Sequence, residues 1–296
     1  GGSIAGTGSM TNTGSLTGAG NIVISGPFIN TSLWRPEAGT LFLQASGCVT
    51  NDGLLELQPG ARLQVAAPWS NRGQVQLAGG VLSGGTITNG STGLISGQGS
   101  IAALDNAGLL SVSGGSLSVT GNLTNSGITQ LGGTGSQLAG LGLLTNTGTV
   151  QGAGNVGMRV ANSGTLEAIG GTLSFSALSN TNTATGTLLA GAGGKLLMTQ
   201  GLATNAGLIQ LDGGTYDNGG AAMANTGRIV GQGNLRSSTI TNGNQIAFSF
   251  GPSDIAAPIT NQAGAKLIVS NGAQATFTSA VVNAGELRVS AGGAAN

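Results

Sequence analysis

"NAGLLSVSGGSLSVTGNLTN", Asn106 to Asn125, holds one whole period of this chain. Leu110 and Val112 alternate with small polar residues, and a second alternating pair, Leu117 and Val119, follows Gly114-Gly115. Gly121-Asn122 then leads to Leu123, and two residues further stands Asn125. Alternation of period two sends successive side chains to opposite faces, so each pair reads as a short strand. The glycine pairs read as corners, because a residue without Cβ adopts positive φ at no steric cost. No window of the sequence carries a sustained helical period, and glycine this frequent would destabilise a helix. One period is therefore three very short strands and three tight corners.

The phrase apolar–any–Asn recurs along the whole chain. Its asparagines are Asn12, Asn30, Asn51, Asn71, Asn89, Asn106, Asn125, Asn146, Asn162, Asn180, Asn205, Asn225, Asn242, Asn261 and Asn283. The residue two before each is apolar, from Met10 through Leu178 and Ala203 to Val281. Spacings run from 16 to 25 residues and average about 19.4. A unit this small cannot bury its own apolar face, and isolated strands of this length are unstable. Stacked copies can pair each strand with its equivalent one turn later, about 4.8 Å away. The expected fold is all-β: a single-stranded parallel β-helix, or β-solenoid, of right-handed sense. It has three short strands per turn of 19–20 residues and about fifteen turns, on the order of 70 Å in length. One solenoid domain over 1–296 is expected. Two proline- and aromatic-bearing stretches, 25–40 and 244–258, read as irregular loops, since Pro cannot donate to a ladder. A β-propeller needs about 40 residues per blade, so the short period argues against it.

Composition agrees with a packed core under an uncharged surface. Of 296 residues, 58 are glycine, none is histidine, 39% are apolar and only 6% charged, with nine cations balancing nine acids. No basic stripe invites nucleic acid, and no apolar run reaches the roughly 18 residues of a membrane helix. The single cysteine, Cys48, has no internal disulfide partner and reads as a small buried apolar residue. The opening "GGSIAGTGSM" has neither an initiator Met nor a signal peptide, which reads as a processed chain or an excerpt.

The asparagine anchors, including Asn12, Asn51, Asn71, Asn106, Asn125, Asn146, Asn162, Asn205, Asn225 and Asn283, are expected to form a structural ladder of stacked amides. Asn also tolerates the left-handed conformation that a corner can require. Thr precedes eight of the fifteen anchors. An ice-binding face needs a regular Thr lattice, and Ile29, Ser70, Asp105, Ala161, Ser179, Ala224 and Val282 interrupt this one. The Gly-rich "GAGN" and "GQGN" phrases lack the Gly-Lys-Thr/Ser of a phosphate loop. Glycoside cleavage usually needs two carboxylates flanking one bond. Only Asp212 and Asp217, on either side of Tyr216, lie both close in sequence and beside an aromatic, and they sit in different phases of the unit. No catalytic, cofactor-binding or metal-binding residue is assigned, and no cofactor is expected. Phe28, Trp34, Arg35, Phe248 and Phe250 are the candidate interaction residues, placed on the two irregular stretches, where recognition on a rigid scaffold often sits.

The phrases "TNTGSL", "ANSGTL" and "TNAGLI", with "GGSL" and "GGTL", resemble those of the large secreted β-helix adhesins of bacteria. These are the filamentous-haemagglutinin-like proteins and autotransporter passengers. The resemblance covers the whole chain and implies export to the cell surface or medium, with roles in adhesion, aggregation or biofilm. It transfers no site residues. The expected function is a non-enzymatic extracellular structural or adhesive solenoid, whose partners are a surface receptor, a glycan or further copies of itself. A carbohydrate-active enzyme or glycan-binding module is the alternative. For self-association the candidate stacking ends are Ile4 and Met10 at the head and Leu287 and Val289 at the tail. Joining tail to head gives an anchor step of 25 residues, equal to the longest internal step, Asn180 to Asn205.

Overall fold

In the computed structural model, which describes residues 2–290, 292, 294 and 295, the period from Asn106 to Asn125 contains two strands, Leu109–Val119 and Leu123–Asn125. Leu110, Val112, Leu117 and Val119 are fully buried, while Ser113 and Ser116 are exposed. The alternation thus survives the corner. The chain bends there without ending the strand, because Gly114 (φ 74°) and Gly115 (φ 153°) adopt dihedrals that a Cβ would oppose. In most turns the first two strands run together in this way. At Leu54–Leu57 and Ala61–Val65, or Thr187–Ala190 and Lys195–Met198, the corner separates them.

The strands pair in parallel and join equivalent residues of successive turns; the described residues form a β-solenoid of about fifteen turns without a helix. Contacts divide the chain into two compact units, Gly1–Leu144 and Thr145–Asn296. In the first, Val75, Ile95 and Leu110 stack in one column, and Leu63, Leu82, Ile101 and Val119 in another. A third column on the short strands runs Trp69, Ile87, Leu104, Leu123. In the second unit, Val150, Leu166, Leu188, Ile209, Ile229, Ile246 and Leu267 stack in register. Each fully buried aliphatic side chain contributes about 1.5–3 kcal/mol relative to exposure, so the columns supply the main cohesion of each unit.

Corners absorb the variation in turn length. Val112 pairs with Leu131 and Ser116 with Gln137, so three residues on one turn face five on the next. "GxG" corners are the shortest form: Gly97 pairs with Val112 and Gly99 with Leu117, so Gln98 alone stands opposite four residues.

The two stretches expected to be loops are strand. Leu33–Ala45 and Gln245–Ala256 pair in parallel on both sides, and Pro36 and Pro252 sit within them beside a corner. Extra residues such as Glu37–Thr40 widen the corner and leave the ladder intact. Cys48 is exposed, contrary to the buried reading; its carbonyl accepts from the Phe28 N–H.

Candidate functional site

The asparagine ladder is the most regular polar feature. In the first unit Asn12 Nδ2 donates to Asn30 Oδ1 (2.6 Å), and Asn30, Asn51, Asn71, Asn89 and Asn106 each donate to the next anchor at 2.7 Å, ending on Asn125. In the second, Asn146, Asn162, Asn182, Asn205, Asn225, Asn242, Asn261 and Asn283 are linked at 2.7–2.9 Å. The other amide hydrogen goes to backbone carbonyls, as from Asn51 to Gly53 and Gln74. The anchors' own carbonyls accept backbone N–H groups of the next turn: that of Asn30 accepts from Asp52 and Gly53, and that of Asn71 from Gly90. A row whose donors and acceptors are consumed within the fold serves as a structural spine.

One anchor moves. Asn182 stands in the ladder, and Asn180 does not. The segment "LSNTN" offers two asparagines, and the apolar–any–Asn rule selects the first, but Leu178 is 69% exposed. Asn180 fills the buried position normally apolar, accepting from Val160 N–H and donating to the Ala177 carbonyl. Asn218 does the same work for Leu202, satisfying its N–H and C=O. Burial of these amides is tolerable because both ends have partners. The longest internal step is therefore 23 residues, Asn182 to Asn205, and the tail-to-head step of 25 exceeds it.

The ladder asparagines have negative φ, so left-handed tolerance is not why Asn is there. The glycine two residues on is needed for close approach. A Cβ at Gly73 would fall within the Gly53 carbonyl, and one at Gly227 within that of Gly207.

Most of the candidate interaction residues belong to the core. Phe28, Trp34 and Phe248 are fully buried; the Phe28 and Trp34 rings lie 4.8 Å apart, and Phe248 meets Phe277 edge-on. Their size drew them inward, since a large apolar ring gains most from burial. The Trp34 and Trp69 indole N–H groups have no partner, a cost of about 1–3 kcal/mol that ring burial offsets. Arg35 is exposed and pairs with Glu56 at 2.7 Å.

Asp212 and Asp217 are not brought together as an acid pair. Asp217 binds Lys195 at 2.6 Å and accepts from Gly219 N–H, while Asp212 lies at a glycine corner. Tyr216 between them points into the core, its hydroxyl donating to Asn218 Oδ1. Burial, then the charge of Asp217, pushes its phenol far above the usual range. Among the described residues no group of three or more His, Cys, Asp or Glu could hold a metal ion, and no helix is long and apolar enough to cross a membrane.

Phe250 differs from its candidate companions. It is 74% exposed, and its φ is +71°. This is the corner position that Gly114, Gly170 and Gly213 hold elsewhere, at φ 63–77°, and that Asn271 holds one turn later at φ 52°. A bulky side chain there costs about 1–2 kcal/mol. The ring borders a shallow groove with Asp212 and Gln232; a second groove of about 600 Å³, on the other side of the corner, is bordered by Gln232, Asn234, Asp254 and Thr276. The signal in the sequence was a "GG" corner rewritten as Phe250-Gly251.

No family model, curated protein or solved structure matches this chain. The candidate stacking residues stand at column positions of the outermost turns. Ile4 pairs with Ile22 and Met10 with Phe28, while Leu287 pairs with Leu267 and Val289 with Val269. Ile4, Leu287 and Val289 are about half exposed, and Met10 is half-buried.

Proposed function

We propose that this chain is a non-enzymatic structural and adhesive β-solenoid of the cell surface or extracellular space, whose outer turns stack on those of a second copy. One observation carries the stacking: Ile4, Leu287 and Val289 continue the internal core columns yet remain half exposed. A further parallel turn would cover them and pair the strand edges. Such a head-to-tail contact is heterologous and builds an open fibre. The surface carries few charges to oppose it. The adhesive role and extracellular site rest on the resemblance of the "TNxGxL" phrases to those of secreted β-helix adhesins.

Light scattering and electron microscopy of the purified chain test this reading. Fibres are expected from the unaltered chain, and M10K or V289K should block them without unfolding the solenoid. A chain that stays monomeric at its highest soluble concentration, or lysine variants that still polymerise, overturns it. Turnover of a polysaccharide that is lost in D212N or D217N would overturn the non-enzymatic part.

A further inference from the structure

We propose that the corner bearing Phe250 is a binding site for a neutral polysaccharide. Two unfavourable features meet at one residue. Phe250 holds a left-handed backbone that glycine holds at equivalent corners, and it leaves its ring in water. The ring packs into no core column, since Phe248 fills that place. A strained, exposed aromatic with no structural return points to a ligand.

The surroundings define the ligand. Gln232 borders the grooves on both sides of the corner and is in register with Asp212. Asn234, Asp254 and Thr276 follow one another in register on successive turns, giving polar groups repeated about every 4.8 Å. Asp212 and Asp254 enter no ion pair and no side-chain hydrogen bond among the described residues. Neither groove is lined by Lys or Arg. Pyranose rings present an apolar C–H face that stacks on an aromatic ring, and an edge of hydroxyls that donate to carboxylates and exchange hydrogen bonds with amides. Two unpaired carboxylates disfavour an anionic chain. A shallow repeating groove suits a repeating polymer better than a compact metabolite, which needs an enclosing pocket.

This inference rests on the adhesive half of the reading above and not on stacking. Affinity electrophoresis of the full chain through gels containing dextran, galactomannan or β-1,3-glucan, with alginate as the anionic comparison, tests it. Retardation by at least one neutral polymer and not by alginate is expected. F250G should weaken that binding about tenfold or more with a melting temperature equal to or above that of the unaltered chain, because glycine suits this backbone. D254A should weaken it in the same direction. The proposal is overturned if no neutral polymer retards the chain, if alginate binds more tightly, or if F250G binds as before. It is equally overturned if F250G melts well below the unaltered chain, since the ring would then be structural. Fibres that bind no glycan overturn only this proposal, and a glycan-binding monomer overturns only stacking.

Discussion

The turns Asn106–Asn125 and Asn242–Asn261 are built alike and differ at one corner. Each runs an alternating strand into a bend, Ser113-Gly114-Gly115 in one and Ser249-Phe250-Gly251 in the other, and each ends on a ladder asparagine. The backbone matches closely: φ is 74° at Gly114 and 71° at Phe250. Even the covering residue is the same. A Cβ at Gly115 would meet Gln98 Oε1, and one at Gly251 would meet Gln232 Oε1. Stacking neighbours therefore impose the corner's shape whatever residue occupies it. The tertiary ladder overrides the local preference of phenylalanine, as strain persists only where the surroundings over-determine the backbone.

In the core the two turns should behave identically. L117D and I255D each place a carboxylate at a fully buried column position. Each should cost about 4 kcal/mol or more, seen as a large fall in melting temperature. S116D, one residue from Leu117 and exposed, should stay within about 0.5 kcal/mol; an effect equal to that of L117D would show the inward and outward faces to be exchanged. At the ladder, N106A and N242A each strip the acceptor from the preceding anchor's amide. A loss of about 2–3 kcal/mol in denaturant unfolding is expected from both. Unequal losses would mean that the spine is not equivalent in the two turns.

Smaller effects sharpen the contrast. Tyr216 stands two turns before Ile255 in the same column and is the sole tyrosine. Its phenol is raised above its unfolded value of about 10, so the folded chain keeps a proton that the unfolded chain releases. Its stabilising contribution is complete below pH 10 and declines above it by up to about 1.4 kcal/mol per pH unit. Phenolate absorbance should appear only with unfolding; titration in the folded chain near pH 10 would contradict burial. Exchange at the corner should have the smallest effect of opposite signs. G114F should destabilise by about 1–2 kcal/mol, and F250G should leave stability level or raise it by about 1 kcal/mol. Equal and opposite shifts would establish that strain at the corner is a property of the position.

Period, alternation and the Asn anchor were legible in the sequence because each is local: two-residue alternation and a residue repeated at one phase of every turn need no knowledge of the neighbours. They determined the parallel solenoid, its core columns and nearly all of its spine. What the sequence could not decide depended on competition between neighbours in space. Asn180 satisfies the local pattern and Asn182 does not, yet the position of Asn162 one turn earlier selects Asn182. Trp34 and Phe248 looked like loop residues beside prolines, but the stacked turns offered them a column to fill, and burial of a large ring outweighed an irregular corner. Phe250, two residues beyond Phe248, faced the same attraction and was refused. Alternation alone would send it to the same face as Phe248; the corner, held by Gln232 and the Asn271 carbonyl that accepts its N–H, bends the backbone to positive φ and turns the ring outward.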